Sequence, residues 1–325
     1  MARLSGRLVS AGIGVEATRG TSIAPAYWLP DTDFSFQDKN TTIADDSAFG
    51  RLESLTDSDL VYQWSQGSIG GIIRDTSFGP ILKSIFGTEA VANHAGETIV
   101  KDHTFTVANN CSHPSLTLVS NDANENVRMA LCMVDKLEID YELGKYIMFK
   151  ADFQGKKSAT GSDTVAYITE NKFRPQDVTI KFASAVAGLG AAAVTKIKKF
   201  KIVIDPVLTR EHVLGSVDVD DINNLTLKTT VSFELMYNDL TYKNFDFTNA
   251  HQAMSISIKR TDITLGTATN PELVLTFQPG FFDKWQKNVK NDALVDQSID
   301  FQGLYSISAS SEFSAVLTNL LVTAY

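Results

Sequence analysis

Histidine and cysteine are the side chains from which a zinc site would be built, and this chain has few of either. The histidines are His94, His103, His113, His212 and His251. No two of them have the spacing of a metal-ligand pair, and neither Cys111 nor Cys132 lies in a CxxC motif. The sequence therefore predicts no metal site.

An acidic segment from Asp218 to Asn224 carries the oxygen ligands that calcium prefers. It lacks the central glycine and the distal bidentate glutamate of a calcium-binding loop. The segment is therefore predicted to be a solvated turn.

The sequence shows no arrangement typical of nucleotide or nucleophilic chemistry. The glycine-rich segment from Gly67 to Gly71 is not followed by the Lys-Ser/Thr pair of a phosphate-binding loop. There is no nucleophile elbow, and serine, histidine and aspartate residues show no triad spacing. We therefore expect a protein that is not an enzyme and has no catalytic residue and no cofactor.

A basic run, Lys196-Ile-Lys198-Lys199-Phe-Lys201, has an aromatic residue within it. Such a strand is able to contact phosphate. It is also typical of one exposed strand face, or of a face that meets an acidic neighbour such as the segment from Asp45 to Asp59. These alternatives remain open at the level of the sequence.

The elements that would position such residues are set by an internal repeat. The tetrapeptide Asp-Phe-Gln-Gly occurs at Asp152 to Gly155 and again at Asp300 to Gly303, 148 positions later. An Asp-Lys pair recurs at the same offset, starting at Asp135 and at Asp283. Two ungapped matches in one register predict a duplicated domain, with residues 134–155 and 282–303 in equivalent places.

Length and charge limit the classes of protein. A chain of 325 residues usually forms two domains, and 43% apolar residues with 21% charged residues are ordinary globular usage. We expect no membrane span, no secretory signal at the N-terminus, and two free thiols in a reducing compartment. A net charge of −9 is opposite to that of most proteins that grip nucleic acid.

Two-residue alternation dominates the chain and predicts a mainly β protein. Apolar residues alternate with polar ones from Leu137 to Leu143 and from Ile147 to Phe153, with a turn at Gly144-Lys145. This pattern predicts a β-hairpin with one buried and one wet face. Further strands are predicted over 67–74, 178–182, 225–235, 254–258, 273–277 and 317–322.

Helices are few. Residues 77–86 have helical apolar spacing, with Thr76 or Ser77 as N-cap, Pro80 in the first turn and Gly87 as the stop. A second short helix is predicted within 241–250. Residues 1–25 are interpreted as an arm, Asp45–Asp59 as a long acidic loop, and Ala185–Thr195 as a loose linker or loop tip.

Several segments together resemble the tail tube proteins of long-tailed bacteriophages, in the family whose subunit carries two copies of the tube fold. The segment from Gly14 to Thr21, leading to Pro25 and then to Trp28-Leu-Pro30, resembles the opening of these proteins. Residues 67–87 resemble their strand followed by a short helix. Residues 134–155 resemble the central hairpin, and residues 317–325 resemble the closing strand.

The resemblance implies duplicated β-sandwich or barrel modules, each with a short flanking helix, at residues 1–170 and 171–325. It implies trimeric, pseudo-hexameric rings that stack into a hollow tube in the virion tail, assembled in the host cytoplasm. The implied partners are further copies of the chain and other tail proteins, such as tape measure, distal tail and terminator proteins. DNA would pass through the lumen without specific binding, and no membrane would be involved.

The predicted functional residues are therefore interface residues. Those assigned to ring stacking are Asp45, Asp46, Glu53, Asp57 and Asp59, together with the N-terminal arm. Those assigned to the lumen are Glu138, Asp140, Glu142 and Asp152. The alternative is a carbohydrate-binding or adhesin-like β-sandwich, which would need Trp28, Trp64 and Trp285 on one exposed sheet face.

Overall fold

Extended chain dominates the computed structural model, which describes residues 4–30 and 32–325. The strands of the first half are β1 (Ser10–Val15), β2 (Tyr27–Leu29), β3 (Asp33–Asp45), β4 (Asp57–Ile72), β5 (Gly87–Asn93), β6 (Lys101–Val107), β7 (Leu116–Asn121), β8 (Asn126–Glu142), β9 (Met148–Gly155) and β10 (Ala159–Thr160). Those of the second half are β11 (Val178–Ala183), β12 (Ile197–Glu211), β13 (Asp221–Met236), β14 (Gln252–Lys259), β15 (Glu272–Asn288), β16 (Asp296–Gln302) and β17 (Phe313–Asn319). The α-helices in these ranges are α1 (Gly79–Phe86) and α2 (Thr241–Phe247), with 3-10 turns at Gly6–Leu8, Pro175–Asp177 and Val186–Gly188. The mainly β fold predicted from the alternation is confirmed, and none of the described helices is long and apolar enough to span a bilayer.

Antiparallel pairing links all these strands into one network, which bends into three sheets. The long sheet has eight strands in the order β3-β4-β9-β8-β12-β13-β16-β15. A first short sheet has the order β2-β1-β7-β8-β10. A second short sheet has the order β11-β14-β15-β17-β6-β5. Strands β8 and β15 each begin in a short sheet and continue into the long one.

The main core lies between the long sheet and the two short sheets. Alternate residues of β8, such as Leu137 and Ile139, are buried, as are Phe200 and Ile202 of β12. They join inward-facing residues of the short sheets, such as Phe277, in one apolar cluster. One face of the long sheet is therefore covered, and its other face carries the polar residues of the alternation.

Helix α1 is packed into this core on nearly every side. All of its residues except Lys83 are buried. It begins two residues later than the sequence predicted, with Phe78 as N-cap, and it ends at Gly87, whose φ of 86° requires glycine. Helix α2 lies within the predicted range, and its Phe245 stacks on Phe282 of β15 at a centroid distance of 5.6 Å.

The segments predicted to be equivalent have the same pairing. Val134 is opposite Phe153 in β8–β9, and Phe282 is opposite Phe301 in β15–β16. A register shift follows each of these pairs. Strand β9 then pairs with β4, and β16 pairs with β13.

The long hairpins β3–β4 and β12–β13 also correspond in detail. Each contains one register shift at its middle, at Val61 in β4 and at Leu225 in β13. These two residues are 164 positions apart. The same offset relates Ser68, which is opposite Asp152, to Ser232, which is opposite Asp300. A matching irregularity is informative because a bulge is a specific feature of a strand pair.

The halves differ after their helices. In the second half α2 is followed directly by β14, which pairs with β15, whereas β5 and β6 lie between α1 and β7, which pairs with β8. Strand β6 pairs with β17 of the second half, so the halves share a sheet here as they do at β8–β12. Tyr325 completes this region, and its ring lies so close to Gly79 that a Cβ there would be 2.1 Å from it. The Tyr325 backbone N–H donates to Glu89, and its hydroxyl accepts from Asn319.

Three interpretations of loops need correction. The N-terminal arm contains β1, which pairs with β2 and β7 and buries Ala11 and Ile13, so this part of it is ordered within the chain. Its short apolar stretch is interrupted by glycines, which concealed the strand. Strands β3 and β4 extend into the predicted acidic loop and leave residues 46–56 as the connection. Of the two alternatives for the segment 185–195, the loop is correct and the linker is wrong, because the segment connects β11 to β12 and buries Leu189.

Candidate assembly interfaces

The four residues predicted to face a lumen lie on the polar face of the long sheet. Glu138, Asp140 and Glu142 of β8 alternate with buried neighbours, and Asp152 of β9 does the same. None of the four is buried, and the structure brings them to one surface opposite the core. Strand alternation alone accounts for this placement.

Lysines on the same face neutralise much of this acidity, which the sequence prediction underrated. Glu138 lies 2.6 Å from Lys136 and 2.9 Å from Lys201. Asp152 is 3.2 Å from Lys150. Glu142 lies 2.7 Å from Lys145 in the turn that follows it.

The pKa of Glu138 reflects these contacts. Partial burial opposes ionisation, but hydrogen bonds and Coulombic attraction from Lys136 and Lys201 outweigh it, so the pKa of Glu138 lies below its usual value. The hydrogen bond from Lys145 and its positive charge likewise lower the pKa of Glu142. The polar face is thus a set of ion pairs in which the carboxylates and the lysines both stay charged at neutral pH.

The basic run of the sequence finds its acidic partner in this surface. Strand β12 pairs with β8 over six positions, from Lys199 opposite Glu142 to Ile204 opposite Leu137. On the polar side Lys201 lies opposite Asp140, and on the core side the rings of Phe200 and Tyr141 stack at 5.0 Å. The acidic neighbour is therefore β8, not the segment from Asp45 to Asp59.

This β8–β12 seam joins the two halves, and it leaves one edge strand at each end of the long sheet. Within the described residues, β3 pairs with β4 alone, and the last part of β15 pairs with β16 alone. Unpaired backbone groups on a strand edge are a template for another strand. The sheet therefore presents two such edges, one from each half.

The β3–β4 hairpin extends beyond the rest of the first half. Asp45, Asp57 and Asp59 lie at its strand ends, and Asp46 and Glu53 lie in the connection, all of them exposed. The Asp45 carboxylate accepts hydrogen bonds from the side chain and backbone of Ser47, which lower its pKa. The same hairpin exposes large apolar residues, namely Ile43, Phe49, Leu52, Leu55 and Leu60.

The β12–β13 hairpin has its outer half covered by the first half of the chain. Val219 and Ile222 are buried in a small second core with Leu131 and Met133 of β8. The Gln63 backbone N–H of β4 donates to the Val217 carbonyl at 2.8 Å. The Arg210 guanidinium lies 4.2 Å from the ring centroid of Trp64, in a cation–π contact.

Two residues near the N-terminus secure this contact between the halves, and sequence reasoning did not assign them a role. The buried Glu16 carboxylate accepts from the hydroxyl of Thr117 and the backbone N–H groups of Gly20 and Leu131. The turn that it closes presents Arg19, whose guanidinium donates to the Ile222 carbonyl at 2.6 Å. Both lie in the segment 14–21, which carries part of the family resemblance and was the available signal.

Other sequence candidates have structural contacts. Asp218 accepts from the Gln63 side chain at 2.6 Å, and Asp221, the first residue of β13, forms an ion pair with Arg19 at 2.6 Å, so these two carboxylates join the halves. The three tryptophans do not share an exposed sheet face. Trp28 is buried, and Trp285 is half-buried and donates its Nε1–H to Gln297. The arrangement needed for the adhesin-like alternative is absent from the described surface.

The fold and these surfaces define a mainly β structural protein whose prominent features are sheet edges and extended hairpins. A family model described as phage tail tube protein matches residues 6–303 of the chain. No curated protein matches it. The match covers most of the chain, so this protein belongs to the phage tail tube family, and the resemblance drawn from the sequence is confirmed. Membership makes it a structural component of the virion tail that assembles into a tube with other tail proteins.

Proposed function

We propose that three copies of this chain form a ring and that rings stack into the hollow tail tube. Each copy would contribute two tube modules, residues 1–170 and 171–325, so that a ring of three chains contains six similar modules. A closed ring of identical chains needs one surface that fits a different surface on the next copy. Edge strands β3 and β15 are two such surfaces.

The β8–β12 seam is the observation that carries this proposal. Within the long sheet, it joins the end strand of the group β3-β4-β9-β8 to the end strand of the group β12-β13-β16-β15. Strands β15 and β3 are the corresponding strands that remain at the sheet ends. If β15 of one copy pairs with β3 of the next as β8 pairs with β12, every module meets its neighbour in the same way. Closure would then leave neither edge of the long sheet exposed.

The polar face of the long sheet would line the lumen. The opposite face is covered by the short sheets and α1, so only the polar face is open to a water-filled channel. Glu138, Asp140, Glu142 and Asp152 would then face DNA, and the lysines beside them would be engaged by carboxylates. A lysine held in an ion pair attracts phosphate less than a lysine without one, so DNA would pass without being retained.

Ring stacking is assigned to the β3–β4 hairpin, with its acidic residues Asp45, Asp46, Glu53, Asp57 and Asp59. Its exposed leucines would become buried against the adjoining ring, which would offset the cost of ordering the connection. Tape measure, distal tail and terminator proteins would contact the tube inside and at its ends. Assembly would take place in the host cytoplasm.

Electron cryomicroscopy of the concentrated protein tests the proposal. We expect tubes with threefold rings and a continuous β-barrel around the channel. Rings with six copies of the chain, or a discrete monomer at all concentrations and in the presence of an initiating tail complex, would contradict it.

The conduit mechanism has a separate test. Assembled tubes incubated with duplex DNA at physiological salt are expected to release it on sedimentation. Retention that disappears only at high salt would indicate a basic channel and would overturn this mechanism, even if the tube itself were correct.

A further inference from the structure

We infer that the two kinds of seam in the ring carry opposite charge patterns, so that each edge strand accepts only its correct partner. The inference rests on the proposed function, because it takes the second partner to be another copy of this chain. It concerns which strands recognise each other. We call the β8–β12 pairing the inner seam and the proposed β15–β3 pairing between copies the outer seam. The inference follows from applying the observed register of the inner seam to the outer seam.

The register of the outer seam is fixed by two offsets. Gly70 of β4 is equivalent to Glu234 of β13 by the offset of 164 residues given above. Asp33 is opposite Gly70, and Lys199 is opposite Glu234. Strand β12 therefore corresponds to β3 at an offset of 166 residues. Strand β8 corresponds to β15 at 148 residues, because Glu138 is opposite Lys150 and Gln286 is opposite Ser298.

The outer pairs follow directly from the six inner pairs. They are Asp33 with Lys290, Phe34 with Val289, Ser35 with Asn288, Phe36 with Lys287, Gln37 with Gln286, and Asp38 with Trp285. These residues come from two different copies of the chain.

Charge is reversed between the two seams. In the inner seam β12 contributes the bases Lys199 and Lys201, and β8 contributes three acids, with Lys201 bound to Glu138 at 2.9 Å. In the outer seam β3 contributes acids, Asp33 and Asp38, and β15 contributes bases, Lys287 and Lys290. Both correct seams are therefore attractive.

The incorrect seams are repulsive. Pairing β3 with β8 would place Asp33 opposite Glu142, and pairing β15 with β12 would place Lys290 opposite Lys199. Like charges directly opposite each other destabilise a strand pair. Because the repeat makes the four strands similar in shape, this repulsion is what would discriminate against swapped halves between chains.

The apolar contact of the seam is retained while the charges change. Phe34 and the exposed Val289 take the places of Phe200 and Tyr141, which stack in the inner seam. Strand β15 ends at Asn288, whereas β8 continues to Glu142, the equivalent of Lys290. Strand β3 of a neighbouring copy would supply the partner that extends β15 to Val289 and Lys290.

Charge reversal at one position tests the inference. Asp33→Lys and Lys290→Asp are each expected to raise the concentration for half-maximal tube formation about tenfold, and the double variant to recover most of this loss. The matched controls are Glu125→Lys and Lys259→Asp, which reverse exposed charges away from both edges of the long sheet. Unchanged melting of the monomer would show that the variants are folded.

A disulfide tests the register independently. In a Cys111→Ser background, Ser35→Cys combined with Asn288→Cys is expected to cross-link assembled copies, whereas Ser35→Cys with Gln286→Cys should do so poorly because the diagonal is longer. Recovery in the charge double variant together with selective cross-linking would support the inference.

If wild-type tubes form but the single charge variants assemble normally, or the double variant is no better than either, the charge pattern is wrong and the tube proposal survives. Cross-linking of the diagonal pair in preference to the direct pair would overturn the register. Failure of the wild-type chain to self-associate would overturn both proposals together.

Discussion

The two long hairpins of this protein have the same construction and opposite surroundings. Both contain a register shift at equivalent residues, Val61 and Leu225. The outer half of β12–β13 is fixed to the first half of the chain, with Ile222 fully buried. The outer half of β3–β4 projects with Leu60 and Leu55 exposed.

The difference shows where a repeated element needs a second chain. The second hairpin follows the first half in sequence and finds its neighbour within the same polypeptide. The first hairpin has no corresponding neighbour among the described residues, and in the proposed ring another copy would supply it. In the proposed ring, duplication would convert one intermolecular contact into an intramolecular one and leave the other for assembly.

The largest expected effect comes from removing the projecting connection. Replacing residues 46–56 by Asn-Gly would join β3 to β4 by a tight hairpin turn. Tube growth should be abolished, because Asp46, Glu53 and the exposed apolar residues of the connection are lost, while the melting temperature of the monomer stays unchanged. Electron microscopy and calorimetry measure the two outcomes. Normal tubes, or a destabilised monomer, would show that the connection has a different role.

A buried charge in the second hairpin should unfold the chain more easily. Ile222→Asp places a carboxylate in the small core beside Leu131 and is expected to cost about 3 kcal/mol in the free energy of unfolding. Ser58→Asp, at the equivalent exposed position of the first hairpin, is the control and should leave urea denaturation unchanged. Equal losses in both variants would remove the contrast between the hairpins.

A smaller effect is expected at the cation–π contact. The residue equivalent to Arg210 in the first hairpin is Ala44. Arg210→Ala therefore makes the two hairpins alike at this position and removes the stacking on Trp64. We expect a loss of about 1 kcal/mol in the free energy of unfolding and a change in tryptophan fluorescence. Arg210→Lys should retain part of the stability. Unaltered unfolding in Arg210→Ala would mean that the hairpin is held by its apolar residues alone.

The smallest effect concerns pH. The pKa of Glu138 is lower in the folded chain than in the unfolded one, so its ion pair with Lys201 stabilises the fold above the unfolded pKa of about 4.3. This stability is lost as the pH falls through the folded pKa. Because the pair is partly exposed, Glu138→Gln should lose less than about 1 kcal/mol at pH 6 and nothing in strong acid. A deficit independent of pH would exclude the ion pair as its cause.

Local patterns in the sequence predicted the repeating parts of this fold well. The hairpin β8–β9 follows directly from alternating apolar residues, and α1 from its spacing and the glycine that ends it. Strand β1 escaped detection because its alternation is short and interrupted by Gly12 and Gly14. The outer parts of β3 and β4 are exposed on both faces and have no regular apolar alternation, so nothing local distinguished them from a loop.

The partners of the charged residues required the three-dimensional pairing. The acidity of the polar face was apparent from Glu138 and Glu142. Lys136 and Lys145 are near them in sequence, but Lys201 comes from another strand. Lys201 lies 63 residues from Glu138 along the chain. Which strand it would meet depends on the order of strands in the long sheet, which spacing along the sequence does not determine.

The position of Tyr325 affects when, during its synthesis, the chain becomes able to assemble. Its ring packs on Gly79, and its carbonyl accepts from Lys83, 242 residues earlier. During translation, the pocket beside α1 therefore stays open, and β6 stays without β17, until the ribosome has passed these distant residues. Contacts so far apart in sequence form slowly. We expect nascent chains that have not yet reached Tyr325 to be unable to join a growing tail, which would keep subunits without this contact out of the tube.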